Sequence, residues 1–506
     1  MNCSQLLRGT GVLPSGGDPE IKGLDYNSRR IQPGWAFVAI RGESSDGNRY
    51  IDAALKQGAA AVVTDSPGEQ PRPGVAWAVI QNGRRALAAM SANFYGRPAE
   101  KLKIIGITGT NGKTTTTFLC ESILRQCGRT SALIGTIEYH VPVRGAQFKV
   151  LPSPHTTPES LELNQVFAEA VAGGATNAVM EVSSHALAQE RVWDIPFEVA
   201  VFTNLTRDHL DYHKDMAAYF EAKSMLFTGC GSRPPRAAVI NADDEYGRRL
   251  AQARKSSGQE VILYGIEGGD FRAANIDLKQ DGTGFELVTP SGRVKIETAL
   301  IGSVNVYNIL AAAAATFACG CSLEQIAEAV RAFKQVPGRF EKVDCGQPFT
   351  VVVDYAHTDD ALRNLTAIAR DFAERGTDPG RVITVFGCGG DRDRTKRPLM
   401  AEAAGQGSDF VVLTSDNPRS EDPQQIIADA LPGLKKTGTR FEVEPDRKRA
   451  IGRALNEARP GDIVLIAGKG HEKVQITREG IFPFDDVQVG REALEQMTHA
   501  KHGGAR

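Results

Sequence analysis

The sequence predicts an α/β protein of three domains, with parallel sheets in the central and C-terminal domains. A chain of 506 residues suggests about three domains at roughly 150 residues each. Apolar runs typical of strands alternate with helical segments, as in βαβ units. Near the C-terminus, four apolar runs each lead into a polar or glycine-rich loop. We therefore expect a smaller α/β domain at 1–100, a central parallel-sheet domain at 101–336 and a doubly wound, Rossmann-like domain at 337–506.

Composition and charge exclude several classes of protein. The net charge is −2, so no cationic field favours nucleic acid or an anionic membrane surface. The first residues lack the basic start and apolar core of a secretory signal, and the longest mostly apolar run, 309–319, is too short to span a bilayer. The eight cysteines form no C-x-x-C pair and are expected to be free thiols. We expect a cytoplasmic, monomeric protein that binds neither nucleic acid nor membrane.

The first hundred residues are predicted to form the smaller domain. The runs AFVAI (36–40) and AAAVVT (59–64) are typical of buried strands, and YIDAALKQG (50–58) between them is typical of a helix. This mixture of short strands and helices predicts a small α/β unit.

A phosphate-binding loop is predicted at the start of the central domain. The stretch GITGTNGKTT (106–115) follows a strand-like run and precedes a helical one. Backbone N–H groups of such a loop, together with the helix N-terminus, bind phosphate oxygens. In this interpretation Lys113 reaches the β- and γ-phosphates of a nucleotide, and the Thr114 hydroxyl binds Mg²⁺. The alternative is a glycine- and threonine-rich turn with an exposed lysine.

Three further positions in the central domain are candidates for metal or phosphate chemistry. Glu181 ends an apolar strand, where phosphate-loop enzymes carry a second magnesium-binding carboxylate; a surface acid is the alternative. His209 belongs to a cluster of two aspartates and two histidines within 208–213, which suggests metal or phosphate binding. Lys223, in EAKSML, is by its local pattern a solvent-exposed helix lysine.

The C-terminal domain is predicted to present a second polar site. Residues 334–343, KQVPGRFEKV, contain proline and glycine and are interpreted as a linker. Four predicted strands follow: FTVVVDY, RVITVFG, DFVVLTSD and DIVLIAG. Ligands of doubly wound sheets bind at the carboxyl ends of the strands. The loops DYAHTDD, GCGGDRDRTKR, DNPRSEDP and GKGHEK are therefore expected on one rim of the sheet.

Eleven short motifs resemble, in the same order, those of the Mur ligase family. They are GTNGKTT, HTTPE, MEVSSHAL, NLTRDHLDYH, EAKS, NVYNILAA, PGRFEKV, DYAHT, GCGGDRD, DNPR and GKGHE. The resemblance runs from NSRRIQPGWAFVAIRG to GKGHEKVQ and so covers essentially the whole chain. It implies a UDP-binding domain at 1–100, an ATP-binding domain at 101–336 and an amino-acid-binding domain at 337–506.

The resemblance also implies roles for individual residues. The ATP site would comprise Gly109, Thr110, Asn111, Gly112, Lys113, Thr114, Thr115, Asn308, Arg339 and Asp354. The UDP-muramoyl-dipeptide site would comprise Ser28, Thr156, Thr157, Ser183, Gln189 and Arg191. The site of an incoming diamino acid would comprise Arg392, Asp416, Asn417, Pro418, Arg419, Gly468 and Glu472. Thr114 and Glu181 would hold one Mg²⁺, and His209 with a carbamate on Lys223 would hold another.

The reaction implied by this family is ATP-dependent ligation of small molecules. ATP phosphorylates the γ-carboxylate of D-glutamate in UDP-N-acetylmuramoyl-L-alanyl-D-glutamate, and an amine then displaces phosphate from the acyl phosphate. Lys113, Lys223 and His209 are the catalytic candidates. One alternative is a ligase similar to folylpolyglutamate synthetase, against which DNPR and HTTPE argue. Another is a nucleotide-gated switch that ligates nothing, which would need no second polar site.

The DNPR run predicts which diamino acid is used. meso-Diaminopimelate carries a distal carboxylate that L-lysine lacks, and a guanidinium such as that of Arg419 binds carboxylates with two parallel hydrogen bonds. In the family, DNPR marks the members that add meso-diaminopimelate, whereas the lysine-adding members lack this arginine. The alternative is that Arg419 pairs with Glu421 or Asp422 at the surface. We expect strong preference for meso-diaminopimelate over L-lysine.

Overall fold

The structure, a computed structural model, describes residues 1–42, 45–279, 282–374 and 379–503. Within these ranges the strands form three large sheets and one two-stranded hairpin. Each large sheet has a cluster of buried apolar side chains on both faces. Sheets rich in parallel strands need this cover, because their connecting helices lie on both faces. The predicted α/β fold is confirmed, while the exact domain boundaries stay predictions.

The N-terminal part contains a four-stranded parallel sheet. Its strands lie in chain order and are β1 (Gly23–Asp25), β2 (Trp35–Ala39), β3 (Ala61–Thr64) and β4 (Ala76–Val79). Its helices are α1 (Cys3–Leu6), α2 (Ile51–Lys56) and α3 (Gly83–Phe94), with 3-10 turns at Ser28–Arg30, Gly47–Tyr50 and Pro98–Lys101. The two strands and the helix predicted here correspond to β2, β3 and α2.

The central part contains an eleven-stranded sheet in which β5 lies between β9 and β10. Its strands are β5 (Lys103–Thr108), β6 (Ser131–Ile134), β7 (Glu138–Val143), β8 (Ala146–Pro152), β9 (Asn177–Glu181), β10 (Phe197–Phe202), β11 (Ala237–Asn241), β12 (Glu260–Gly265), β13 (Phe271–Leu278), β14 (Thr283–Thr289) and β15 (Gly292–Thr298). The order is β15-β14-β13-β12-β11-β10-β5-β9-β6-β7-β8, and antiparallel pairs occur towards both edges. The parallel strands β9, β5 and β10 therefore end side by side, at the edge where ligands of such sheets bind.

Eight helices accompany the central sheet in the described ranges. They are α4 (Lys113–Gln126), α5 (Ser160–Ala172), α6 (Ser184–Ala188), α7 (Leu210–His213), α8 (Met216–Thr228), α9 (Glu245–Ser256), α10 (Ser303–Ala318) and α11 (Leu323–Ala332). The alanines at 311–315 of α10 are fully buried beside α4, because small side chains let the two helices approach closely. The longest apolar run of the sequence is thus a core helix.

The C-terminal part contains a six-stranded sheet in the order β16-β17-β21-β18-β19-β20. Its strands are β16 (Glu341–Lys342), β17 (Thr350–Asp354), β18 (Val382–Cys388), β19 (Phe410–Ser415), β20 (Arg440–Val443) and β21 (Ile463–Ala467), followed by the hairpin β22 (Val474–Thr477) and β23 (Gly480–Pro483). Its helices are α12 (Asp359–Ala373), α13 (Lys396–Gly407), α14 (Pro423–Lys436), α15 (Arg447–Glu457) and α16 (Asp486–Gly503).

The four strands predicted for this part are neighbours in its sheet, as β17, β21, β18 and β19. They are parallel, so the expectation that their following loops share one rim is confirmed. The predicted linker at 334–343 is partly wrong, because β16 within it pairs antiparallel with β17 and so belongs to the sheet. Across the described ranges, every helix is too short or too polar to cross a bilayer.

Candidate active site

Two glycines shape the phosphate loop between β5 and α4. Gly109 has φ 151° and Gly112 has φ 83°, values in the region that favours glycine. A Cβ on Gly109 would lie 1.8 Å from Thr203 Oγ1, and one on Gly112 would lie 2.4 Å from Asn308 Oδ1. The loop therefore needs glycine both for its backbone shape and for its packing, and α4 begins directly after it at Lys113.

Lys113 is held against the loop. Its Nζ donates to the carbonyl oxygens of Gly109, at 3.0 Å, and Thr110, at 2.9 Å. Burial lowers the pKa of Lys113, while the negative charges of Glu181 and Asp208 oppose this shift. The lysine is half-buried rather than extended into solvent, so the exposed-lysine alternative does not describe this loop. Its amine lies beside the backbone that would hold phosphate.

Glu181, at the end of β9, is fully buried, so the surface-acid alternative is wrong. Its Oε2 accepts hydrogen bonds from Thr114 Oγ1 at 3.1 Å and Thr136 Oγ1 at 3.0 Å, and its Oε1 accepts from Thr136 N at 2.8 Å. A hydroxyl and a carboxylate in contact are hard oxygen ligands suited to Mg²⁺. No group of three or more acidic, histidine or cysteine metal ligands occurs in the described ranges. Mg²⁺ takes one or two protein carboxylates and completes its shell with phosphate and water, so Thr114 and Glu181 fit one such ion.

Lys223 lies inside the protein, not on the exposed face that its local pattern predicted. Its Nζ donates to Gly109 O at 2.7 Å and lies 4.6 Å from the centre of the Tyr219 ring. Burial, with repulsion from Lys113, lowers the pKa of Lys223 well below its ordinary value. The amine therefore lies buried beneath the phosphate loop, where its uncharged form is more favourable than in water. This arrangement fits the carbamate that the family resemblance implies, because a neutral amine is the form that combines with CO₂.

His209 precedes α7 and has φ 52°, in the left-handed region. Its backbone N–H donates to Asp208 Oδ1 at 2.8 Å, and its ring Nε2 lies 3.3 Å from Asp208 Oδ2. Burial lowers the pKa of His209 to about 3, although Asp208 opposes the shift. The imidazole is therefore neutral near pH 7, which is the form that binds a metal ion.

The C-terminal domain supplies residues to the same cleft. Arg339 Nη2 donates to Thr114 Oγ1 at 3.1 Å. The Asp354 carboxylate accepts from Phe340 N at 2.7 Å and Ala356 N at 2.8 Å, and burial raises its pKa. The cleft has a volume of about 770 Å³. Its lining includes most predicted ATP and metal residues: Thr110, Asn111, Gly112, Lys113, Thr114, Thr115, Glu181, His209, Asn308, Arg339 and Asp354.

Two contacts between the domains were missed by the sequence analysis. Asp360 Oδ2 accepts from Asn111 Nδ2 at 2.7 Å and from Thr206 Oγ1 at 3.1 Å. The ammonium of Lys396 pairs with Asp208. The residues of each contact are more than 150 positions apart in the chain, so no local pattern reveals them. Both contacts hold the C-terminal domain against the phosphate-loop side of the cleft.

The residues expected to bind UDP-muramoyl-dipeptide form one hydrogen-bonded group, apart from Ser28. Thr157 Oγ1 donates to Glu181 O at 2.9 Å and accepts from Ser183 N at 3.0 Å. Arg191 donates to Thr157 O at 3.0 Å and to Gln189 Oε1 at 2.7 Å. This group therefore continues directly from Glu181.

Thr156 belongs to this group, whereas Ser28 lies outside it. Thr156 Oγ1 lies 3.1 Å from Thr136 Oγ1, the hydroxyl that donates to Glu181. Ser28 lies in the N-terminal domain, whose Tyr26 hydroxyl donates to Glu162 of α5 at 3.0 Å. Glu159, which the sequence analysis did not assign, forms a 2.8 Å ion pair with Arg191 and lies 3.5 Å from Arg84 of α3. These bonds join the N-terminal domain to the central site.

The loop after β19 and the loop after β21 meet in the C-terminal domain. Asn417 Nδ2 donates to Glu472 Oε2 at 2.7 Å. Gly468 has φ 117°, and a Cβ there would lie 2.6 Å from Asp416 Oδ2. The structure therefore brings Asp416, Asn417, Gly468 and Glu472 together. Sequence analysis missed Lys469, whose buried side chain contacts two of these residues.

Arg419 lies at the same rim, after Pro418, with φ 52° in the left-handed region. Its Nη1 donates to the carbonyl oxygen of Gly390 at 2.8 Å. Burial, together with repulsion from Arg392, lowers the pKa of Arg419. Arg392, whose Nη1 donates to Asp391 O at 2.8 Å, is thus close enough to Arg419 for the two positive charges to repel each other.

The surface-pair alternative for Arg419 is wrong. Glu421 instead pairs with the buried Arg397 at 2.7 Å. Asp422 caps α14 and accepts from Gln424 N at 2.8 Å. Both acidic side chains therefore bind groups other than the Arg419 guanidinium.

These features define a class of protein: an α/β protein in which a phosphate loop and a separate polar rim are brought together by contacts between domains. Family models agree over most of the chain. They are the Mur ligase middle domain (107–316), the Mur ligase glutamate ligase domain (338–470) and the Mur ligase family catalytic domain (20–95). The chain belongs to the Mur ligase family.

Curated relatives match nearly the whole chain. One from Solibacter usitatus is 53% identical over 500 residues, covering 98% of each chain. Another from Geobacillus thermodenitrificans is 46% identical over 489 residues, covering 95% of this chain and 96% of the relative. Both are named UDP-N-acetylmuramoyl-L-alanyl-D-glutamate--2,6-diaminopimelate ligase.

Solved structures show the same architecture. A structure of UDP-N-acetylmuramoyl-L-alanyl-D-glutamate--2,6-diaminopimelate ligase has a TM-score of 0.66 and 34% identity, covering 95% of this chain and 96% of that chain. The MurF ligase from Thermotoga maritima in complex with ADP has a TM-score of 0.62 and 17% identity, covering 94% and 98%. At that identity the second match shows a shared fold alone.

Proposed function

We propose that this chain adds meso-2,6-diaminopimelate to UDP-N-acetylmuramoyl-L-alanyl-D-glutamate in peptidoglycan synthesis, with conversion of ATP to ADP and phosphate. Relatives that are 53% and 46% identical over nearly the full length bear the name of this ligase. The phosphate loop and the polar rim of the C-terminal domain supply the two kinds of site that such a reaction needs.

The choice of amino acid is inferred from the hydrogen bonding and the electrostatic surroundings of Arg419. Its guanidinium donates to a carbonyl oxygen, while burial, together with repulsion from Arg392, lowers its pKa. A ligand carboxylate would relieve this repulsion and accept two parallel hydrogen bonds. meso-Diaminopimelate has a distal carboxylate for this role, whereas L-lysine would leave the cation without a partner, at a cost in binding.

At the phosphate loop, the side chains of this protein orient ATP and stabilise charge. Lys113 would move from the loop carbonyls to the β- and γ-phosphates and balance charge that develops during phosphoryl transfer. Arg339, bonded to Thr114, brings a second cation to the same place from the C-terminal domain. Arg191, with Thr157 and Ser183, would hold the dipeptide with its γ-carboxylate near Glu181.

Mg²⁺ is part of this proposal. Thr114 and Glu181 would hold one ion, and His209 with Lys223 in its carbamate form would hold a second, because these groups offer oxygen ligands and a neutral imidazole. The ions would supply positive charge for the transferring phosphoryl group. The burial of the Lys223 amine and its lowered pKa support the carbamate assignment.

The remaining assignments follow from the same arrangement. Asn308, Asp354 and the loop 109–115 would surround ATP, and Ser28 would bind the uridine nucleotide. Asp416, Asn417, Gly468 and Glu472 would meet the amino groups of diaminopimelate, opposite Arg392 and Arg419. We also propose that the protein acts as a cytoplasmic monomer; its eight free cysteines favour a reducing compartment.

One experiment tests the proposed reaction. Phosphate release from ATP is measured with UDP-N-acetylmuramoyl-L-alanyl-D-glutamate and a panel of amino acids. We expect release with meso-diaminopimelate and almost none with L-lysine. Equal release with L-lysine would favour a lysine-adding ligase. Release with a folate and L-glutamate would instead favour the folylpolyglutamate synthetase reaction; a Mycobacterium tuberculosis folylpolyglutamate synthase shares the fold, with a TM-score of 0.61 and 19% identity.

A further inference from the structure

A lysine with no assigned role lies under the diamino-acid site. Lys469 follows β21 and Gly468, and its side chain is fully buried. Its Nζ lies 2.9 Å from Asn417 Oδ1 and 3.1 Å from Glu472 Oε2. A buried ammonium is costly unless its donors are used, so these bonds are a substantial part of the local energetics.

The bonds determine which way the Asn417 side-chain amide points. Its Oδ1 accepts from Lys469 Nζ and also from the backbone N–H of Ile476 at 3.0 Å. The reverse orientation would place the amide N–H₂ group against an ammonium and a backbone N–H, which both only donate. The Nδ2 group of Asn417 must therefore face Glu472, to which it donates at 2.7 Å.

The same bonds orient Glu472. Its Oε2 accepts from both Asn417 and Lys469. Because both bonds use Oε2, Oε1 is available to accept from an ammonium group of a ligand. The side chain is about a quarter exposed, whereas Lys469 is closed off from solvent. Lys469 therefore lies on the buried side of the Glu472 carboxylate, and a ligand would approach from the solvent-exposed side.

We propose that Lys469 is a positioning residue for the diamino acid. It orients Asn417 and Glu472 so that one carboxylate oxygen meets a ligand ammonium, and it does not touch the reacting atoms. This inference rests on the proposed function, because it assumes that the rim binds meso-diaminopimelate. Without the lysine, Asn417 Oδ1 keeps only the bond from Ile476 N and Glu472 Oε2 keeps only the bond from Asn417, so Glu472 can turn away and binding of this one substrate should weaken.

The test compares two lysines of the same loop. Lys469→Met removes the buried ammonium and keeps a similar side-chain length. Lys473→Met is the matched control, because Lys473 is exposed and pairs with Asp485 outside the site, at 2.7 Å. For each purified full-length variant, KM is measured for meso-diaminopimelate, ATP and UDP-N-acetylmuramoyl-L-alanyl-D-glutamate, together with kcat and thermal unfolding.

We expect Lys469→Met to raise KM for meso-diaminopimelate at least ~10-fold, with KM for ATP and for the nucleotide dipeptide near wild type. Lys473→Met should leave all three values unchanged. An unchanged KM for meso-diaminopimelate in folded Lys469→Met would overturn the proposal. So would a parallel loss of affinity for all three substrates, which indicates a general structural role.

A second variant tests the proposal if Lys469→Met does not fold. Lys469→Gln keeps a hydrogen-bond donor without the charge and should show the same selective rise in KM. If neither variant folds, Lys469 is structural and the proposal is overturned. Failure of the proposed function is distinguished by the wild-type enzyme: absence of phosphate release with meso-diaminopimelate refutes the reaction, whereas a normal wild-type and an unaffected Lys469→Met refute only the role of the lysine.

Discussion

The phosphate-loop region and the diamino-acid region bury cationic side chains in two different ways. At the loop, Lys113 and Lys223 donate to backbone carbonyl oxygens. At the rim, Lys469 contacts Glu472, and the fully buried Arg447 forms a 2.7 Å ion pair with Asp486. Arg419, however, resembles the loop lysines, since it too donates to a carbonyl oxygen.

From this difference we infer which groups are available for ligands. A cation bound to neutral carbonyls keeps its charge for an incoming anion, whereas a cation in an ion pair is already compensated. On this view Lys113 is free to meet phosphate and Arg419 is free to meet a carboxylate. Lys469 and Arg447 instead support the walls of the rim. Lys223 differs from Lys113, because burial, with repulsion from Lys113, lowers its pKa well below the ordinary value.

The largest expected effect is at Lys223. Lys223→Ala should be nearly inactive, because a carbamate oxygen ligand for Mg²⁺ would be lost, and short carboxylates added to the assay should restore part of the activity. Glu221→Ala, an exposed position of the same helix, serves as the control. An active wild-type enzyme whose intact mass and crystal structure show unmodified Lys223 would contradict this assignment.

The second largest loss of activity is expected for substitution of Lys113. Lys113→Ala is expected to lower kcat by about two orders of magnitude or more, because preorganised charge acts mainly on the transition state. Steady-state kinetics with saturating substrates measure the change. Lys103→Ala, at the exposed start of β5, should have near-normal turnover. Near-normal turnover in Lys113→Ala itself would refute the assignment of the phosphate loop.

Substitution of Arg419 is the counterpart, at the rim of the C-terminal domain, of the Lys113 substitution. Arg419→Ala should raise KM for meso-diaminopimelate at least ~10-fold and leave KM for ATP and the nucleotide dipeptide near wild type. Arg478→Ala is a matched control, because this exposed arginine donates to Ser420 O at 2.8 Å in the same neighbourhood. Unchanged kinetics with meso-diaminopimelate in Arg419→Ala would show that the Arg419 guanidinium does not bind this substrate.

The smallest expected effect is at the contact between the two regions. Asp360→Asn weakens the acceptor for Asn111 and Thr206, and we expect kcat/KM for ATP to fall by about 10-fold or less. Asp359→Asn changes the neighbouring carboxylate, which pairs with Arg363 of its own helix, and should stay near wild type. Equal effects of the two substitutions would argue against a specific contact between domains.

Local sequence patterns were sufficient for much of the fold and part of the site. Apolar runs predicted β2, β3 and the neighbouring strands β17, β18, β19 and β21, because a buried parallel strand needs apolar side chains on both faces. Glycine spacing predicted the phosphate loop, since only glycine suits the backbone of Gly112 next to Asn308. The partial error at 334–343 arose because proline and glycine indicate a break but cannot show that the next residues pair with a strand.

Only the tertiary structure decided the state of the charged groups. Lys223 appeared exposed because its helix gave no sign of Gly109, a partner 114 positions earlier in the chain. Arg419 had acidic neighbours in sequence, but those carboxylates bind Arg397 and cap α14. A residue type is set by the sequence alone, whereas burial and partners depend on which distant segments meet. Burial and partners determine the pKa of a side chain and whether its charge is already compensated. The sequence could therefore name the candidate residues, whereas the fold decided which of them keep a charge available for a ligand.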